Sequence, residues 1–270
     1  MKILVTNDDG INSPGLQELA RELGKVARVV VVAPDREQSA IGTAVTLRHP
    51  LRVQEVSPLA PGVATYAVAG TPGDSVILAL GKLVEDGVDL IVSGINRGLN
   101  LGEDVHISGT VGAALQGYLR GFSAMAVSVP RENDEQMPHA ARLAALLAKR
   151  ISAESLPTNI FLNVNLPDLP PAAKINRLRI TRLADRSHIN TVEERKDGGE
   201  TAYCLVRRQA ANGAGAPPDQ NTDIVVVESG GISVTPLYFR QTYKPPRAVM
   251  ESLCSGLLDE LNDRQGAEGL

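Results

Sequence analysis

The chain has 270 residues, of which 43% are hydrophobic and only 3% aromatic, with no Trp, so its core has to be built from Val, Leu, Ile and Ala, as in parallel-sheet α/β domains. Its net charge of −4 excludes a broad electrostatic attraction to nucleic-acid polymers. Two cysteines, Cys204 and Cys254, give no disulfide framework or soft-metal cluster, no apolar run approaches the roughly 20 residues needed to cross a bilayer, and Met1 leads straight into a strand pattern rather than a signal segment, so the expectation is a reduced, soluble, cytoplasmic protein without a membrane partner.

The first predicted element is Lys2 to Thr6, a short apolar run without alternation, which suits a strand buried on both faces. Asn7, Asp8, Asp9 and Gly10 follow as a polar turn. Leu16, Leu19, Ala20 and Leu23 are then spaced as one face of a helix. A second buried strand, Arg28 to Ala33, ends in the polar loop Asp35 to Gly42, DREQSAIG. Leu51 to Val56 and Val63 to Val68 read as shorter strands around Pro58, Pro61 and Gly62. Thr71 is an expected N-cap with Pro72 at the first helical position, and this helix is expected to reach about Glu85. Val88 to Val92 is the next buried strand. Its exit, Ser93 to Ala114, holds five glycines in 22 residues, and a long structured loop of this kind in a compact domain is usually functional. Ser108, Gly109 and Thr110 then open an apolar helical pattern.

Strands at Ala124 to Val129 and Ile160 to Asn165 enclose an amphipathic helix at Ala140 to Ile151. From Arg177 the character changes to short, often alternating segments: RLRITRL, TAYCLVRR, DIVVVES and ISVTPL. Alternation suggests antiparallel strands with one solvated face. A last amphipathic helix is expected from about Pro246 to Leu261. The expected fold class is therefore α/β, with a mostly parallel sheet, a β-rich appendage and a C-terminal helix. The expected boundaries are a core at 1–177, an appendage at 178–245 and a C-terminal helix within 246–270.

Three polar stretches, NDDG, APDREQSAIG and SGINRGLNLG, each follow a buried strand directly. If those strands are parallel, all three loops lie on one edge of the sheet, where open α/β sheets bind ligands. Asp8 and Asp9 are adjacent like charges, which repel unless a cation lies near. Oxygen-only donors favour a hard divalent ion such as Mg²⁺, Mn²⁺ or Ca²⁺. Ser39 and Asn96 can complete such a shell with neutral oxygens. The Ser108 helix start presents unpaired N–H groups suited to phosphate, although a plain Ser N-cap explains the same residues. Both acids also read as ordinary solvated turn residues. The four histidines, His49, His106, His139 and His188, show no metal-ligand spacing. No Walker A, G-x-S-x-G or G-x-G-x-x-G motif is present.

The motifs NDDG at 7–10, APDREQSAIG at 33–42, GTPGDSV at 70–76, SGINRGLNLGEDVHISGTVGAA at 93–114, LNVNLP at 162–167 and ISVTPL at 232–237 occur together and in order. In this the chain resembles the survival protein SurE family, the metal-dependent nucleoside monophosphate phosphatases. The resemblance implies a Rossmann-like three-layer sheet with a β-hairpin and a C-terminal segment exchanged between subunits of a homodimer or homotetramer. It implies one divalent ion per subunit, Mg²⁺ or Mn²⁺, on Asp8, Asp9, Ser39 and Asn96, and phosphate contacts at Ser108, Gly109 and Thr110. Asn12 and Asn96 are further candidates for phosphate contact, and Asp8 and Asp9 for catalysis. The substrates implied are nucleoside 5′- and 3′-monophosphates and short polyphosphate. Two departures stand out: Ser75 replaces a common Cys, and Ile107 replaces a common aromatic that would alter the pocket wall. The rival readings are a phosphatase working through a phospho-aspartate, whose acids are usually separated by one residue, and a nucleotide-binding module without turnover.

Overall fold

A computed structural model describes residues 1–153, 159–170, 175, 177–185, 189–197, 200–207 and 219–238. All of its described helices and strands lie within the compact unit Met1–Leu237. In chain order they are β1 (Lys2–Thr6), α1 (Pro14–Leu23), β2 (Arg28–Pro34), β3 (Val53–Glu55), β4 (Ala64–Val68), α2 (Pro72–Leu78), β5 (Leu90–Arg97) and α3 (Gly109–Leu119). They continue as β6 (Ser123–Val129), α4 (Met137–Ala153), β7 (Phe161–Asn165), β8 (Leu178–Ile180), β9 (Ile189–Asp197), β10 (Glu200–Arg207), α5 (Asp223–Glu228) and β11 (Ile232–Pro236).

Nine strands form one sheet in the order β3-β4-β2-β1-β5-β6-β7-β11-β8. The six from β4 to β7 are parallel; β3 and β11 pair antiparallel to their neighbours β4 and β7. The chain winds from β1 outward to β2 and β4, then returns to place β5 on β1's other side. That reversal opens a crevice at the carboxyl ends of β1 and β5, the switch point where such sheets bind ligands.

The sheet is buried on both faces, which is why β1 needs no alternation. Ile3 and Val5 join the apolar cluster of α1 and α4 with Leu16, Leu19, Ala140 and Ala144. On the other face Ile91 meets α3 so closely that a Cβ on Gly117 would lie 2.8 Å from it. Helices on both faces give the expected three-layer α/β architecture. Thr71 caps α2 in a reciprocal box: its hydroxyl accepts from the Asp74 N–H at 3.0 Å, and the Asp74 carboxylate accepts from the Thr71 N–H at 2.9 Å. The helix does not run on regularly to Glu85; Ala79–Leu83 widen into a π-type turn.

Three further expectations are corrected. The segment DIVVVES is not a strand: Asp223–Glu228 is helical, because Ile224, Val226 and Val227 are buried and packing overrides the strand preference of β-branched residues. β8 and β11 belong to the large sheet, and β8 pairs parallel to β11; the separate two-stranded antiparallel sheet is β9 with β10. The strand expected to stop at Val92 continues to Arg97 through a bulge at Gly94–Asn96, which moves Asn96 from loop to strand end. The helix expected at 246–261 and its exchange between subunits lie outside the described residues.

Candidate active site

The site is assembled where β1 ends. Asn7 is fully buried and donates through Nδ2 to the Gly10 carbonyl at 3.0 Å, which closes the turn. Gly10 sits at φ +93, and a Cβ there would lie 2.8 Å from the Arg36 carbonyl carbon; only glycine accommodates both demands. The Asp8 carbonyl accepts from the Gln38 N–H at 2.7 Å, which ties the 35–42 loop to the turn.

The Asp8 side chain is 3% exposed and lies against the start of α3. Its Oδ1 accepts from the Thr110 hydroxyl at 2.5 Å. A Cβ on Gly109 would be 2.7 Å from the Asp8 Cβ and 2.9 Å from Oδ2, so glycine permits this approach. Ser108 is the N-cap, its Oγ accepting from the Val111 N–H at 3.1 Å. Burial pushes the Asp8 carboxyl up to about 6; the Thr110 hydroxyl opposes the rise and the Asp9 charge adds to it. Asp9 is half-buried, and its Oδ2 accepts from the Arg97 N–H at 3.4 Å. Burial raises its carboxyl too, against the Arg97 N–H and the Arg97 and Arg131 charges.

A cavity of about 230 Å³ opens over these residues, lined by Asp8, Ser39, Asn96 and Ser108 among the expected site residues. Asp9, Gly109 and Thr110 are not on its wall; Gly109 and Thr110 are buried behind Asp8. Asn12 is exposed on the turn after Gly10 and does not line the cavity. Four wall residues escaped the sequence reading: Arg97, Asn100, Asp104 and Arg131. Arg131 carried no motif signal, while Arg97, Asn100 and Asp104 lay inside the glycine-rich stretch already singled out. Ile107 lines the wall and is 38% exposed, so an aliphatic side chain stands where the resemblance anticipated an aromatic.

The donor set suits a hard cation. The Asn96 Nδ2 is engaged by the Gly98 carbonyl at 2.6 Å, which leaves its Oδ1 as the outward donor oxygen. The Ser39 hydroxyl gives its proton to Glu37 Oε1 at 2.7 Å, so its lone pairs are available. Among the described residues no group of three or more His, Cys, Asp or Glu side chains could hold a metal; the candidate set has two carboxylates and two neutral oxygens. The desolvated, mutually repelling Asp8 and Asp9 are the feature a cation would relieve. Behind them Thr6 Oγ1, Asn7 Oδ1 and Ser93 Oγ are buried without hydrogen-bond partners, an uncommon polar concentration for a core.

The family profile described as Survival protein SurE matches residues 3–190. The chain is 52% identical over 261 residues to a protein named 5′-nucleotidase SurE from Dehalococcoides mccartyi, covering 96% of each chain. A protein of the same name from Moorella thermoacetica is 45% identical over 242 residues, covering 90% of this chain and 92% of its own. The crystal structure of SurE protein from Aquifex aeolicus superposes with a TM-score of 0.76 at 33% identity, covering 94% of this chain and 98% of that one.

Proposed function

The chain belongs to the survival protein SurE family, and from that membership we propose that it is a 5′-nucleotidase, a phosphatase that cleaves nucleoside monophosphates to nucleoside and phosphate. The observation that carries the reading is the buried Asp8 carboxylate at the start of α3, on the wall of a cavity lined from the carboxyl ends of β1, β2, β5 and β6. We extend the proposal to 3′-monophosphates and short polyphosphate, to one Mg²⁺ or Mn²⁺ per subunit on Asp8, Asp9, Ser39 and Asn96, and to a cytoplasmic homodimer or homotetramer.

When bound, the cation would supply Lewis-acid stabilisation of phosphoryl charge and a more acidic water. The protein residues do the rest. Ser108, Gly109 and Thr110 bring the N-terminal end of α3, whose dipole favours an anionic phosphoryl group. Asn96, at the end of β5, and Asn12, on the turn, are the remaining candidate phosphate contacts. Thr110 orients Asp8 through its hydroxyl. One of Asp8 and Asp9 accepts the proton of the attacking water as its oxygen bonds to phosphorus and the phosphorus–oxygen ester bond breaks, and that proton is passed on to the departing nucleoside oxygen.

Phosphate release from matched 5′- and 3′-nucleoside monophosphates, with Mn²⁺, Mg²⁺ or EDTA present, tests the proposal. Turnover that EDTA abolishes and either metal restores is expected. Nucleotide binding without turnover under every condition would leave a binding module instead, and a trapped phosphoryl-enzyme would point to a phospho-aspartate mechanism.

A further inference from the structure

We propose that Asn165, seconded by Asn163, is a positioning residue whose carboxamide pins Asn100 and thereby holds the 98–107 wall of the cavity in its binding-competent place. The ligand of that wall rests on the phosphatase reading; the clamp itself does not. Asn165 Oδ1 accepts from the Asn100 N–H at 2.8 Å, and its Nδ2 donates to the Asn100 carbonyl at 3.0 Å. Asn163 Nδ2 donates to the same carbonyl at 2.7 Å. The Asn100 side chain completes the fastening by donating to Ser128 Oγ on β6 at 2.9 Å. A side chain thus gives a loop backbone the paired donor and acceptor that a neighbouring strand would give.

The placement argues for positioning rather than fold stability. Asn163 and Asn165 are both fully buried on β7, an interior strand flanked by β6 and β11, where amides are costly unless fully satisfied and apolar residues would serve the core better. Asn163 Oδ1 and Ser233 Oγ, from neighbouring β7 and β11, remain buried without partners. Between the two asparagines Val164 points into the apolar cluster of the opposite face. Asn100 lies in the irregular stretch 98–101, between the end of β5 at Arg97 and a short 3-10 helix at Gly102–His106. The nearest other backbone anchors of the wall are Gly98, which donates to the Val129 carbonyl at 2.9 Å, and Gly102, which donates to Asp223 Oδ2 at 2.8 Å. Gly98, Asn100, Asp104 and Ile107 all face the cavity. Releasing Asn100 frees the middle of that wall while Asp8, on the β1 turn, keeps its contacts.

The consequence is a split between binding and turnover. If the released wall is competent about one tenth of the time, apparent affinity weakens about tenfold. Asn165→Leu is compared with Val164→Ala, which removes core methyls from the same strand without touching the clamp. Three quantities are measured: KM and kcat for a nucleoside 5′-monophosphate, inhibition by inorganic phosphate, and amide hydrogen exchange across 98–107. Asn165→Leu is expected to raise KM and the phosphate inhibition constant about tenfold, to leave kcat within about twofold, and to speed exchange in that segment. Val164→Ala is expected to lower the melting temperature without moving any of the three. An unchanged KM in Asn165→Leu, or an equal rise in Val164→Ala, overturns the proposal. If Asn165→Leu does not fold, Asn165→Asp, which keeps the acceptor and loses the donor, carries the same comparison. If the wild type releases no phosphate, the phosphatase reading fails; exchange in 98–107 then decides the clamp alone, and unaltered exchange overturns it.

Discussion

Gly109→Ala is the most informative single perturbation of the site. Gly109 is the first residue of α3, its φ is not positive, and alanine adopts its backbone without strain. The effect is therefore purely steric. The new Cβ would stand 2.7 Å from the Asp8 Cβ, 2.9 Å from Oδ2 and 3.2 Å from Cγ. All three lie inside ordinary van der Waals separation, and at the closest of them, the Asp8 Cβ, no flexible side-chain end is available to yield. Either the start of α3 retreats or Asp8 rotates off, and both lengthen the 2.5 Å bond between Asp8 and Thr110. A misplacement approaching 1 Å costs on the order of 10²-fold in rate. Overpacking costs about 1–3 kcal/mol, offset by up to about 1 kcal/mol of helix propensity gained over glycine. The expected result is kcat/KM for a 5′-monophosphate reduced about a hundredfold with net destabilisation below about 2 kcal/mol. Gly81→Ala, where a Cβ meets nothing within 4 Å, is the matched control and should leave activity unchanged, with stability equal to wild type or raised by up to about 1 kcal/mol. Activity within about twofold of wild type in Gly109→Ala would refute the claim that Asp8 and the α3 start are held in one working geometry.

Further outcomes follow from the buried and bridged carboxylates. Asp223 accepts from the Gly102 N–H at 2.8 Å through Oδ2, and from the Ala184 and Ile224 N–H groups at 3.0 and 2.8 Å through Oδ1. Asp223→Asn turns an N–H toward Gly102 and is expected to lower stability by about 1–3 kcal/mol in chemical denaturation. Burial raises the Asp223 carboxyl above its ordinary 3.8, so the native state holds its proton longer than the unfolded chain. The stability this residue contributes is thus fullest below pH 3.8 and declines as pH rises through the raised value, and the gap to Asp223→Asn should narrow over that window. Asp86 behaves oppositely. Its hydrogen bond from Lys2 holds its carboxyl below 3.8, so what it adds is present above that pH and is lost as pH falls through the lowered value. Melting temperatures of wild type and Asp86→Asn should converge in acid.

Much of the architecture is legible in the residues because both-face burial leaves an unmistakable mark. Lys2 to Thr6 and Arg28 to Pro34 are unbroken apolar runs, and each ends in a polar turn at the same sheet edge. The reading failed where local preference and tertiary context part. The valines of DIVVVES favour a strand in isolation, yet burial of Ile224, Val226 and Val227 is met by a helix. Asn96 read as loop because glycine usually ends a strand, whereas Gly94 here forms a bulge that lets β5 continue. Asp8 was legible as a strand-end acid, but not its contact with Thr110, which joins residues 102 apart. Asn163 and Asn165 read as strand residues, since a clamp on Asn100 63 and 65 positions away leaves no local pattern. Arg131 reaches the cavity wall from the loop after β6, and a single arginine after a strand carries no signal by itself.

The decisive measurement is metal-supported phosphate release from a nucleoside 5′-monophosphate by wild type and Asp8→Asn at equal concentration. Asn keeps an acceptor for the Thr110 hydroxyl and removes a carboxylate that burial disfavours, so the variant should melt no lower than wild type. Its release rate should fall by about 10²-fold or more, as expected for loss of a group that handles charge and protons at the reacting phosphorus. A folded Asp8→Asn protein that releases phosphate as fast as wild type would place the chemistry elsewhere in the molecule.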